Sequence, residues 1–254
     1  MTQARAVYVY GVLPAADARA LAVTGVEGST VRTVAGGELA ALVSDLARDS
    51  LTAARAVRAH WRVLDAAAKD ATVLPVRFGT ALRDDDEVRD RLLAPNADKL
   101  RALVGHLAGR VQLGVKGTYE EKALLREIVA SSPSIAALRE RLRGLPAQAA
   151  YYDSIQLGEL VAQEVDKRRQ RDAQLALDML EPHAVEARAQ PAAGHDGAFD
   201  LAFLVARDAI DAFSEAVVRL GDEVGERIAL RYIGPLPPYS FADAQIEARS
   251  EAWA

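Results

Sequence analysis

The chain has 254 residues, 50% of them hydrophobic and 26% charged, with a formal net charge of −5. Such a composition belongs to a folded protein with room for one large domain or two ordinary ones. The absence of cysteine excludes disulfides, a thiol nucleophile and Cys-based zinc sites, and the acidic balance disfavours a protein that binds mainly by neutralising phosphates.

The first segment, "RAVYVYGVL", alternates and is rich in Val and Tyr, so Ala6 to Val12 reads as a strand ended by Pro14. After a short irregular turn, "STVRTV" (Ser29 to Val34) and "ELAALVSDL" (Glu38 to Leu46) form a hairpin around Ala35, Gly36 and Gly37. A helix opened by Ser50 or Thr52 follows. Val57, Trp61, Leu64, Ala68 and Ala71 mark its apolar face, and Arg55, Arg58, Arg62, Asp65 and Lys69 the other. "TVLPVRFGT" (Thr72 to Thr80) is a β-like run whose Pro75 belongs at an edge or bulge, with Gly79 giving the turn. The acidic residues of "DDDEVRDRLL" suit a helix N-terminus, Pro95 starts a second helical stretch, and Arg110 to Gly117 is a strand. The order predicts an α+β sandwich for residues 1–117, one antiparallel sheet covered by helices in the manner of a modified ferredoxin-like fold.

Past Gly117 the texture is helical. Two short amphipathic pieces separated by Pro133 precede a long helix expected over about 153–180, capped by Asp153 or Ser154. Its run "DKRRQRD" (Asp166 to Asp172) is polar all round and reads as a solvated face. "AVEARAQ" and "AFDLAFLVA" read as strands around a turn at Pro191 to Gly197. Ile210, Phe213, Val217, Leu220 and Val224 mark a helix, and "RIALRYIG" a last strand. Residues 118–254 thus form a helix-rich α+β domain ending in a Pro-rich tail, 234–254.

Catalytic and metal signatures are missing. "QLGVKGT" lacks the spacing of a phosphate-binding loop, and no third glycine follows Gly36-Gly37 at the dinucleotide step. His60, His106, His183 and His195 form no ligand pair, and His60 reads as a helix-surface or boundary residue. No catalytic residue, cofactor or metal is expected. No run approaches the eighteen apolar residues of a membrane span, and the first residues lack a signal peptide's apolar stretch, so a cytoplasmic protein without membrane or nucleic-acid partners is expected.

Four stretches in order, "YVYGVL", "LPVRFGT" (Leu74 to Thr80), "VQLGVKG" (Val111 to Gly117) and "IGPLPPYSF" (Ile233 to Phe241), resemble the gas vesicle protein F/L family of accessory proteins. The resemblance implies a two-domain α+β protein that helps assemble gas vesicles, without cofactor or active site. It implies as partners the small hydrophobic shell protein and other gas vesicle accessory proteins, and leaves the oligomeric state open. A shell subunit must cover its apolar surface until it polymerises. The candidate partner-binding residues are Pro75, Arg77 and Phe78, on the irregular strand. The tail residues Pro235, Pro237, Pro238, Tyr239 and Phe241, with Trp253, are expected to dock on the other domain as anchors. The competing reading is a regulatory ferredoxin-like module that binds a small molecule between sheet and helices.

Overall fold

The computed structural model describes residues 5–47 and 53–242. It has two antiparallel sheets with helices, an α+β architecture, and divides into two compact units: Met1–Gln112 together with Pro235–Ala254, and Leu113–Gly234. The sequence reading cut the chain at residue 117 and left the tail with the second domain. The structure cuts at Gln112, within a continuous strand that no turn residue marks, and groups the tail with the first unit. Ser50, Thr52 and Trp253 lie outside the described residues.

The first unit runs β1 (Arg5–Pro14), β2 (Arg32–Gly36), β3 (Leu39–Ala47), α1 (Ala53–Ala67), β4 (Leu74–Pro75), β5 (Ala81–Leu82), α2 (Asp85–Glu87) and α3 (Ala97–Leu107). Its sheet has the order β2-β3-β1-β4, with β5 also paired to β1. β4 and β5 are two pieces of one broken edge strand. They face Gly11–Val12 and Val7–Tyr8 of β1, and residues 76–80 loop out between them. Alternation along β1 sends Tyr8 and Tyr10 into the core that α1 completes, while Val7 and Val9 are buried on the opposite face. That second face is covered by α3, which packs on β1 and β4, and by the turn Val88–Leu93, which packs on β2 and β3.

α1 is rotated from its expected register. Ala56, Ala59, His60, Val63, Leu64 and Ala67 are buried and Trp61 is 41% exposed. Small alanines let the helix lie close to the sheet, and Gly11 is the counterpart on β1: a Cβ there would stand 2.9 Å from Leu64 Cδ2 and from the Leu74 carbonyl oxygen. The face shared by alanines, Val63 and Leu64 is the inward one, and Trp61, the largest apolar side chain of the helix, lies off it.

Pro95 does not begin the second helix. It sits inside a continuous helical path, and because its ring excludes regular α geometry, Val88–Leu93 is wound as a π-helix and Ala94–Asn96 as a 3₁₀ turn. The Asn96 side-chain amide donates to the Leu92 carbonyl at 2.9 Å, supplying a bond that the distorted ladder lacks. Asp84 caps α2 by accepting from the Glu87 N–H at 2.8 Å. Buried Glu87 accepts from the Arg83 N–H at 2.6 Å and from Arg91 Nη1 at 2.6 Å. The Arg83 backbone bond first, then the two arginine side chains, outweigh burial and hold its carboxyl below the usual value of 4.5. Its stabilising contribution is therefore present above pH 4.5 and lost as pH falls through the depressed folded value. Glu87→Gln is expected to lower the melting temperature at pH 7 and to narrow its gap to the parent as pH drops below 4.5, measured by thermal melts across pH.

The second unit carries β6 (Arg110–Tyr119, entered from the first unit), α4 (Glu121–Ser131), α5 (Pro133–Leu142), α6 (Ala147–Leu180), β7 (Glu186–Gln190), β8 (Gly197–Ala206), α7 (Ile210–Val224) and β9 (Ile228–Leu236). Its sheet order is β7-β8-β6-β9. α6 is 34 residues long and begins at Ala147, ahead of the expected cap residues. The solvated reading of "DKRRQRD" is overturned at two positions, because Arg168 is 5% and Asp172 4% exposed. Arg168 donates to Glu164 Oε2 at 3.0 Å, Glu127 Oε1 at 3.3 Å and Ser131 Oγ at 2.5 Å. Asp172 accepts from Tyr119 Oη at 2.6 Å and from Arg227 Nη1 at 3.0 Å. Two members of a charged run that pattern alone assigns to water are thus buried in polar contacts within this unit, while Asp166, Lys167, Gln170 and Arg171 are exposed as expected.

Candidate functional site

In the first unit, β1 and α1 build a buried polar cluster beneath the loop of residues 76–80. Tyr8 and Tyr10, two residues apart on a strand, lie on one face with ring centroids 4.9 Å apart. Tyr10 Oη accepts from the Val26 N–H at 2.7 Å and meets Ser44 Oγ at 2.7 Å. Tyr8 Oη accepts from the Gly79 N–H at 3.1 Å and lies 3.0 Å from His60 Nδ1. With its oxygen serving Gly79, the phenol is satisfied when its proton goes to Nδ1, which makes His60 the neutral Nε2–H tautomer. Burial raises the pKa of both tyrosines, so each stays a neutral donor.

Burial also lowers the His60 pKa from 6.5 to about 4. The unfolded chain therefore holds more protons between those two values, and stability is complete above pH 6.5 and falls as pH is lowered toward 4. Across that interval the His60 contribution to stability is on the order of 3 kcal/mol. Denaturant unfolding across pH is expected to show this slope in the parent and a flatter line in His60→Gln. A parent whose stability is constant over that window contradicts it.

The loop above is fixed at both ends. The Val76 N–H donates to the Tyr10 carbonyl at 2.9 Å, and the Val9 N–H donates to the Thr80 carbonyl at 2.9 Å. Within it, the Thr80 N–H and hydroxyl both donate to the Arg77 carbonyl, and Gly79 takes φ +89°, which side chains disfavour. Phe78 lies edge-on to Tyr8 and His60, at 6.2 and 5.6 Å between centroids, and keeps 38% of its surface exposed. Arg77 is exposed and has no acidic partner among the described residues. Pro75 is buried against Gly11 of β1. The stretch expected as one strand is thus strand for two residues and then a pinned loop that displays Arg77 and Phe78.

The tail ends in the same unit. Pro237, Pro238 and Phe241 are buried while Pro235 is exposed in β9. Tyr239 meets Trp61 at a centroid distance of 3.8 Å, and the Ser240 N–H donates to the buried Gln112 Oε1 at 2.8 Å. The Tyr239 hydroxyl is buried with no hydrogen-bond partner, and burial followed by nearby Asp65 raises its pKa. His60, read from sequence as a helix-surface or boundary residue, is instead buried, because it faces the sheet and meets the Tyr8 hydroxyl there; Tyr8 and Ser44 were not singled out by the sequence reading. The available signal was the i, i+2 pair of tyrosines, whose hydroxyls need partners once buried.

Among the described residues no group of His, Asp and Glu is placed to hold a metal, and no helix is long and apolar enough to cross a membrane. The chain is 36% identical over 216 residues to gas vesicle protein F of Streptomyces sp. (strain CB03234), covering 84% of this chain and 88% of that protein. It is 26% identical to gas vesicle protein F of Dolichospermum flosaquae, over 92% of this chain and 96% of that one. Similarity extends to gas vesicle protein L of the same Streptomyces strain, 32% identical over 74% of this chain and 69% of that one. The crystal structure of the gas vesicle protein GvpF from Anabaena sp. PCC7120 superposes with a TM-score of 0.80 at 26% identity, covering 93% of this chain and 98% of that one. The family model described as gas vesicle synthesis protein GvpL/GvpF matches residues 6–243, so the chain belongs to the GvpL/GvpF family and takes part in gas vesicle formation.

Proposed function

We propose that the chain is a non-catalytic assembly factor that binds the hydrophobic gas vesicle shell protein and other gas vesicle proteins, and nucleates or stabilises the growing shell. Family membership across residues 6–243 carries the reading. Its place of action is the cytoplasm and the vesicle that forms there. The surface that fits the role is the loop of residues 76–80, whose partly exposed Phe78 is held in place by its ring contacts with Tyr8 and His60. Pre-ordering lowers the entropy lost on binding, and Arg77 beside Phe78 adds a directional donor at the rim. Pro75 shapes the loop from beneath.

Pull-down of co-expressed shell protein tests this. Arg77→Ala is expected to melt like the parent and Phe78→Ala somewhat below it but folded, and both to capture at least tenfold less shell protein, the loss expected of hot-spot residues. Normal capture by both folded variants removes the loop from the reading. A parent that captures no shell protein removes the reading itself.

A further inference from the structure

The outward face of α1 carries Arg55, Arg58 and Arg62, all exposed and without an ion-pair or hydrogen-bond partner among the described residues. They are spaced by three and four positions, so they stack on one side of the helix as like-charge neighbours. Arg55 also lies in the first turn, where no acidic residue is present and the helix dipole disfavours a cation. Within α1 the carboxylate is Asp65, and it is offset by Lys69 one turn on. Other exposed arginines of the molecule are matched, Arg32 to Asp45 and Asp85, Arg91 to Glu87 and Arg141 to Asp153, or stand singly, as Arg77 does; α1 stacks three on one face. A helix that breaks two local rules at once, in a chain of net charge −5, keeps those charges for something outside itself.

Trp61 stands beside the stripe, 41% exposed and propped by Tyr239. Exposed Trp among arginines is the composition of a protein-binding hot spot. From these observations we propose that the Arg55–Arg58–Arg62 stripe with Trp61 is a docking surface for an acidic segment of a partner protein. The stripe is about 10 Å long at 1.5 Å per residue. That matches two turns of an acidic helix or a short extended acidic stretch. Nucleic acid is the poorer match, because strong phosphate-driven binding draws on about six to ten contacts and the protein around the stripe is net negative.

The test uses the full chain with Trp253→Phe, leaving Trp61 as the single tryptophan. It is titrated at low salt with a 15-residue Glu-rich peptide, with the same peptide carrying Gln for Glu, and with a single-stranded oligonucleotide of matched charge. The Glu-rich peptide is expected to change Trp61 emission and to bind more weakly as salt rises, and the Gln peptide to have no effect. Arg55→Gln, Arg58→Gln and Arg62→Gln combined should weaken the Glu-rich peptide at least tenfold. The melting temperature should stay level or rise, since like-charge pairs are removed. Arg58→Gln alone provides a milder form of the same measurement. No response to the Glu-rich peptide, undiminished binding by the folded variants, or tighter binding of the oligonucleotide overturns the proposal. Arg77 and Phe78 play no part in this test, so it and the shell-protein reading fail separately.

Discussion

Ending the chain after Gly234 is expected to produce a protein whose first unit melts far below the parent. The segment that follows contributes buried Pro237, Pro238 and Phe241, the Tyr239 contact with Trp61, and the Ser240 N–H that satisfies buried Gln112. Phe241→Ala alone is expected to cost about 3–5 kcal/mol, the range for a large side chain removed from a packed site. In a chain of this size that lowers the melting temperature by on the order of 10 °C. Truncation adds the exposure of Gln112 and Trp61. Tyr239→Phe points the other way: its buried hydroxyl has no partner, so removing the oxygen should be neutral or stabilising by up to about 1 kcal/mol. Calorimetry and amide exchange in β1 and α1 check all three. Unchanged melting and exchange after truncation sink the idea that the tail completes this unit.

Asp172→Ala is expected to be as damaging in the second unit. The carboxylate is buried between the Tyr119 hydroxyl and Arg227, while Arg168 one turn away holds Glu127 and Glu164. Removing the carboxylate leaves the Tyr119 hydroxyl without its acceptor and, among the described residues, half-buried Arg227 with only Glu127, at 3.6 Å, which costs about 3 kcal/mol, the low end for a broken buried pair. Burial, and after it the bond to Asp172, raise the Tyr119 pKa, so the phenol remains a donor throughout the physiological range. Tyr119→Phe loses a hydrogen bond to a charged group, about 1.5–3 kcal/mol. The double variant should cost less than the sum, because both changes remove the same contact. Urea unfolding of the four proteins gives the coupling directly. Additive costs would show that the two groups act independently.

Much of the architecture was legible because it follows from period and punctuation. The hairpin between β2 and β3, the stripe of α7 and the acidic helix start at Asp84–Glu87 all lie where side-chain spacing, turn residues and charge put them. What failed has a common cause. Trp61 was assigned inward because hydrophobicity ranks it above alanine, yet a helix pressed on a sheet needs small residues at the contact. Arg168 and Asp172 were assigned outward because charge suggests solvent. Their partners Glu127, Ser131, Tyr119 and Arg227 come from distant segments that no local window contains. Phe78 was noticed, but not the pair beneath it, since His60 carries no signature until Tyr8 is placed against it. The quoted motifs meet in space: Phe78 of "LPVRFGT" packs on Tyr8 of "YVYGVL", and Gln112 of "VQLGVKG" holds Ser240 of "IGPLPPYSF".

The discontinuous make-up of the first unit bears on the order of synthesis. Residues up to Gln112 leave the ribosome early, but the piece that covers Trp61 and fills the Phe241 site emerges only after all of Leu113–Gly234 has been translated. A polypeptide released prematurely would therefore show water-exposed aromatic surface, the feature that chaperones and proteases recognise. Chains that stop short of Pro235 are therefore expected to be cut faster than the parent in limited proteolysis of the first unit, however well Leu113–Gly234 folds.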